Sequence, residues 1–157
     1  MRKLLALIFG SLVSLQAQAE TKWGVATAQD NGKPLIYRYI ASPPAGIRIT
    51  DYPHLVAISW TFDGSIRNGM PEPDVNERMI QLEDLLEKAL ESKKNAFMTL
   101  IVTGNGRKEW QWYSRDVSET MQLINEALKD IAPFPIEISL QSDPNWSAYF
   151  DIIKAVK

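Results

Sequence analysis

Few side chains in this sequence carry the chemistry of catalysis, and their spacing limits what they could do. The carboxylates of interest are Glu83, Asp84 and Glu109, with the guanidinium of Arg107 close to Glu109 along the chain. A hydrolase built on them needs one carboxyl group held above its usual pKa, in a concave site where other polar groups converge. Glu83 and Asp84 cannot form that pair by themselves, because neighbours on a helix diverge by about 100°. Either can instead reach across the fold to Arg107 or Arg115 as a structural ion pair. His54 is the only imidazole. It follows Pro53 at the entrance to an apolar run, where a lone His caps a turn more readily than it moves protons.

Aromatic residues make the most distinctive chemical group: Trp110, Trp112, Tyr113, Trp146 and Tyr149. On a strand, Trp110 and Trp112 share one face, while Glu109, Gln111 and Tyr113 share the other. One reading is a ligand or peptide platform of aromatic planes with Arg107 and Glu109 at its rim. The other is a core that joins the last helix to the sheet. Gly104-Asn105-Gly106-Arg107-Lys108 invites comparison with a phosphate loop, but such a loop leads into a helix and this one leads into a strand, so a hairpin is expected. Asn145-Trp146-Ser147 matches a glycosylation sequon inside a helix start and is set aside. No Gly-x-Ser-x-Gly elbow and no EF-hand loop is present, and no cofactor is implied.

The elements that must position these residues follow from periodicity. Trp23–Gln29 and Lys33–Ile40 read as strands around Asn31-Gly32, a tight-turn pair. Ser42–Gly46 breaks the pattern, and Leu55–Phe62 alternates as a strand. A helix is expected from about Asp74, with Glu77 completing a capping box. Val75, Met79, Leu82, Leu86 and Ala89 form its apolar stripe. Ala96–Thr103 is apolar on both faces, as a buried strand should be, and Lys108–Ser114 returns beside it. Asp116 with Glu119 opens a second amphipathic helix that ends at Pro133 and Pro135. Ile136–Gln141 alternates as a half-buried strand. Asp143 with Pro144 then starts a final helix whose inner face carries Trp146, Tyr149, Phe150 and Ile153. The order from Leu55 predicts an α+β fold, a ferredoxin-like βαββαβ sandwich with an added N-terminal β-hairpin and a C-terminal helix.

The chain has 157 residues, no Cys and a formal charge of −2. Arg2 and Lys3 precede the apolar run Leu4–Leu15, and Ala17-Gln18-Ala19 follows it. This is the pattern of a secretory signal peptide with cleavage after Ala19, since the run is shorter than the roughly 20 residues needed to span a bilayer. Residues 1–19 are therefore the expected signal and residues 20–157 a single domain, directed to the periplasm or alternatively outside the cell. Loss of Arg2 and Lys3 takes the charge to −4. Such a balance disfavours nucleic-acid binding, and no membrane association is expected after cleavage. Without Cys there is neither a disulfide framework nor a lipid-modified cysteine.

Several features taken together resemble the domain of unknown function 695 family. They are Tyr52-Pro53-His54-Leu55, Leu82-Glu83-Asp84, Thr103-Gly104-Asn105-Gly106-Arg107, Trp112-Tyr113, and Asp143-Pro144-Asn145-Trp146-Ser147-Ala148-Tyr149. Their order covers about Trp23 to Ile153. The resemblance implies a small bacterial α+β domain and brings no catalytic residue with it. In plan the chain is more loosely similar to the regulator of ribonuclease activity B proteins, although the signal peptide argues against their cytoplasmic role. The favoured function is a non-catalytic binding or interaction module for a protein, peptide or small ligand. The alternatives are the carboxylate hydrolase described above and a structural protein assembled by strand-edge pairing.

Overall fold

The computed structural model describes residues 20–156. The expected signal peptide, residues 1–19, lies outside the described residues. The elements run β1 (Trp23–Asp30), β2 (Lys33–Ile40), a 3-10 turn (Ile49–Asp51), β3 (His54–Thr61), α1 (Pro73–Glu91), β4 (Ala96–Gly104), β5 (Arg107–Ser114), α2 (Val117–Leu128), β6 (Ile136–Ser142) and α3 (Ser147–Val156). The six strands form one sheet in the order β1-β2-β4-β5-β3-β6, every neighbour antiparallel. With its three helices the fold is α+β, as expected. The strand–helix–strand–strand–helix–strand succession runs from β3 to β6, and β5 lies between β3 and β4.

Both hairpins turn on Asn-Gly. Asn31 and Gly32 have φ of 51° and 74°, and Asn105 and Gly106 have φ of 51° and 75°. Two successive positive φ values match the right-handed twist of the strands they join, which Asn and Gly reach at least cost.

The two faces of the sheet differ in cover. One packs Val56, Ile58, Trp60, Met98, Ile101, Trp110 and Trp112 against Met79, Leu82, Leu86 and Leu90 of α1 and Ile124 of α2. The other carries Leu55 and Tyr113, which pack with Tyr52, Trp146, Tyr149 and Ile153 where α3 crosses one end. A bulge between Met98 and Leu100 lets β4 serve both layers. Met98 pairs with Trp112, whereas Leu100 pairs with Gln111 on the opposite face. The final helix thus covers an end of a sheet face, not an edge.

Three local expectations need correction. The capping box of Asp74 and Glu77 is not used. Glu72 is the extended N-cap without a side-chain bond, and Pro73 opens α1, its fixed φ and missing N–H suiting the first turn. Pro144 does not begin α3. Asp143 caps it from further back, accepting from the amides of Ser147 and Ala148, because Trp146 intervenes with φ of 54°. The inner stripe of α1 also includes Leu90 and the acidic Glu83, while Val75 and Ala89 are half-buried. The Asp116 cap is as expected, its carboxylate accepting from the Glu119 amide at 2.8 Å.

Candidate functional site

The charged residues sort by sheet face. Turns of α1 deliver Glu83 onto the helix-covered face, over β5. There its Oε2 accepts from Lys108 Nζ at 3.1 Å and from Trp110 Nε1 at 2.8 Å, and its Oε1 accepts from Arg38 at 3.1 Å. Lys108 is itself buried and lies 4.8 Å from the centre of the Trp110 ring. Burial pushes the Glu83 carboxyl upward, but Lys108, the Trp110 indole and Arg38 outweigh it and hold the group below its ordinary value. Burial also lowers Lys108, against the pull of Glu83. A carboxylate so occupied is a structural counter-ion; it has neither the raised pKa nor the free oxygen of a general acid.

The other two carboxylates lie elsewhere. Asp84 is exposed on α1. Glu109 lies on the opposite face of the sheet from Lys108 and Trp110, accepting from Arg107 and from Gln111 Nε2. Glu83, Asp84 and Glu109 therefore do not converge, and the arrangement required for a carboxylate hydrolase is not formed. Glu83 pairs with Lys108 and Arg38 instead of the expected Arg107 or Arg115. The period of two that put Trp110 and Trp112 on one face already placed Lys108 there. That was the available signal for the buried cation.

The aromatic platform is also corrected. Trp110, Trp112, Tyr113 and Trp146 are 0% exposed and Tyr149 is 1% exposed, so no ring offers a plane to a ligand. Trp110 and Trp112 fill the layer under α1 and α2. Tyr113, Trp146 and Tyr149 fasten α3 to the other face. Tyr113 and Trp146 stack with centroids 4.2 Å apart, and the Trp146 indole donates to the Tyr52 carbonyl at 2.9 Å. Tyr149 donates to the Ile40 carbonyl at 2.8 Å. Tyr113 donates to Asp143 at 2.7 Å, on the same carboxylate that caps α3. Burial raises Asp143, yet the Tyr113 hydroxyl and the Ala148 and Ser147 amides bring it below its ordinary value. Tyr113 is pushed up by burial and by Asp143. Tyr149 is pushed up to about 12 by burial and by Tyr39.

Of the seven residues expected at a binding site, only Arg107 and Glu109 reach open surface. With Asp30, Leu35, Val102, Gly104 and Asn105 they line a shallow groove of about 320 Å³ on the face that α3 leaves uncovered. Among the described residues, no group of three or more His, Cys, Asp or Glu is placed to hold a metal ion. No helix of the described residues is long and apolar enough to cross a membrane. His54, half-buried, starts β3 opposite Ser114 and Ser142.

The surface that residue-by-residue reading missed is the outer strand. β1 pairs with β2 alone, in continuous register from Trp23 opposite Ile40 to Asp30 opposite Lys33. The Ala41 amide donates to the Lys22 carbonyl at 2.8 Å, which sets the alternation of the ladder. Even-numbered residues of β1 bond inward to β2, while Trp23, Val25, Thr27 and Gln29 direct N–H and C=O outward. On the same face stand Trp23, Val25 and Ile36, which are 38%, 67% and 37% exposed. Arg38 lies 5.6 Å over the Trp23 ring. Only the sheet order makes β1 an edge, so no local motif marked it.

Comparison with curated proteins and with solved structures found no match. The looser likeness to the regulator of ribonuclease activity B proteins is not borne out by any match. A family profile described as "Family of unknown function (DUF695)" matches residues 21–153, nearly the whole of the described chain. The chain belongs to that family.

Proposed function

We propose that the chain, after export to the periplasm and removal of residues 1–19, is a non-catalytic module that binds a protein partner through the free edge of its sheet. The observation that carries this reading is β1 itself. It is an eight-residue edge strand with no bulge, no Pro and no charge before Asp30, and it has exposed Trp23 and Val25 beside its outward backbone groups. Soluble proteins usually protect such an edge with a charge, a Pro or a bulge. An extended segment added there gains a backbone ladder for affinity and an apolar strip for selectivity. The opposite edge, β6, is shorter, follows Pro133 and Pro135 and carries Glu137. The paired, separated carboxylates support a non-catalytic role, and the basic–apolar–small pattern of Met1–Ala19 supports export.

The test is capture of binding proteins from periplasmic extract by mature wild-type chain and by Val25→Pro. The Val25 amide points outward, so proline removes one edge donor without breaking the bond pattern to β2. Wild type should retain a partner that the variant, melting at nearly the same temperature, loses. Equal capture by both, or no partner under any condition for a chain that is also monomeric, would count against the edge.

A further inference from the structure

We infer that the segment seated on β1 is β1 of a second copy, so that two chains join their sheets across a two-fold axis. This rests on the edge reading above and names its partner. In an antiparallel self-pairing, residues facing each other have numbers with a constant sum. Pairs that exchange hydrogen bonds must both come from the outward-directed set Trp23, Val25, Thr27 and Gln29. One register meets this condition and also satisfies the charges at the strand ends. With Ala26 on the axis, Val25 faces the partner's Thr27 and Trp23 faces the partner's Gln29. Lys22 then faces the partner's Asp30, and the symmetry repeats the ion pair at the other end.

A shift of two residues either way loses that match. One direction puts Lys22 opposite the partner's Ala28; the other puts Asp30 opposite the partner's Gly24. Lys22 already belongs to the ladder through the Ala41 amide. Asp30 is fixed by Asn105 Nδ2, which donates to its carboxylate at 2.7 Å. The Lys22 backbone and the Asp30 carboxylate are thus placed at the two ends of an otherwise uncharged strand. The small residues Gly24, Ala26 and Ala28 share one face of the junction. On the other face the exposed Val25 lies beside the partner's Thr27 and the exposed Trp23 beside the partner's Gln29, with Ile36 next to Thr27 on β2. The two-fold contact is isologous and closes as a dimer, whereas pairing of β1 with the partner's β6 would leave one β1 and one β6 free to repeat the same contact and extend into a polymer.

The experiment is sedimentation of the mature chain and of three variants, Lys22→Asp, Asp30→Lys and Val25→Pro, each checked for an unchanged melting profile. The wild type should be a concentration-dependent dimer. Lys22→Asp and Asp30→Lys should each weaken it about tenfold, because like charges then face each other at both ends. Mixing those two variants should restore dimer, since every facing pair is opposite again. Val25→Pro should be monomeric. A wild type that stays monomeric while capturing a different protein in a Val25-dependent manner overturns the self-pairing but keeps the edge reading. A dimer indifferent to Val25→Pro overturns both. An open polymer, or charge variants that mixing fails to rescue, overturns the register.

Discussion

Glu83 Oε2 and Lys108 Nζ meet at 3.1 Å with both side chains largely withdrawn from water, one from α1 and the other from β5. The pair closes the polar end of the core under α1, and the Trp110 indole and Arg38 complete the acceptor set of the carboxylate. Its role is to let a helix with an acidic flank lie on an apolar sheet.

Removing one member of this pair should cost more than removing both. Lys108→Met leaves a buried carboxylate with only Trp110 and the half-exposed Arg38, and should destabilise the fold by about 3 kcal/mol. Adding Glu83→Leu should recover a substantial part of that loss. Urea unfolding of the two single variants and the double variant measures the coupling.

Acid should unfold the protein through two carboxylates. Glu83 and Asp143 have folded pKa values below their ordinary 4.5 and 3.8, so their stabilisation is complete above those values and is lost as pH falls through the lower folded ones. Glu87 and Glu91, raised mainly by burial, act in the opposite sense: their ionisation costs stability as pH rises past the ordinary value. Urea midpoints in the wild type should hold or rise slightly from about pH 6 to about pH 4.5, as Glu87 and Glu91 take up protons, and fall below that as Glu83 and Asp143 do. Glu83→Gln should start lower and fall less.

The attachment of α3 depends on Tyr113 more through its ring than through its hydroxyl. Tyr113→Phe keeps the stack on Trp146 and both amide bonds to Asp143, and should cost about 1–2 kcal/mol. Trp146→Ala removes a fully buried ring and should cost about 3–5 kcal/mol. Near-ultraviolet circular dichroism should lose its aromatic signal in the second variant and keep most of it in the first.

Arg107 and Glu109 should be dispensable for folding. The Arg107 side chain is 56% exposed, and surface ion pairs contribute about 0–1 kcal/mol. Arg107→Ala and Glu109→Gln should therefore melt close to the wild type. If either variant removes partner capture, the groove they line, and not the β1 edge, is the working surface.

What could be read from the sequence divides along physical lines. Asn31-Gly32 and Asn105-Gly106 announced their hairpins because positive φ is a local demand that few residues meet. The Asp116 cap was legible for the same reason: donor and acceptor are a few residues apart. Periodicity assigned Trp110 and Tyr113 to opposite faces, but it carries no information on which helix covers which face. For that reason the aromatic group could be read as platform or as core, the regular spacing favouring the core. Glu83 with Lys108, and Tyr113 with Asp143, are long-range meetings set by tertiary packing. The free edge was the least legible, since β1 looks like any hairpin strand until the order of all six is known.

Amide hydrogen exchange across β1 tests the central claim most directly, because the edge reading assigns opposite behaviour to alternate residues of one strand. In dilute mature chain, Gly24, Ala26 and Ala28 should be protected, while Val25, Thr27 and Gln29 exchange quickly. At high concentration, or with a captured partner, Val25, Thr27 and Gln29 should gain protection. Val25, Thr27 and Gln29 still exchanging quickly at high concentration and with a captured partner would contradict the claim that β1 is the binding edge.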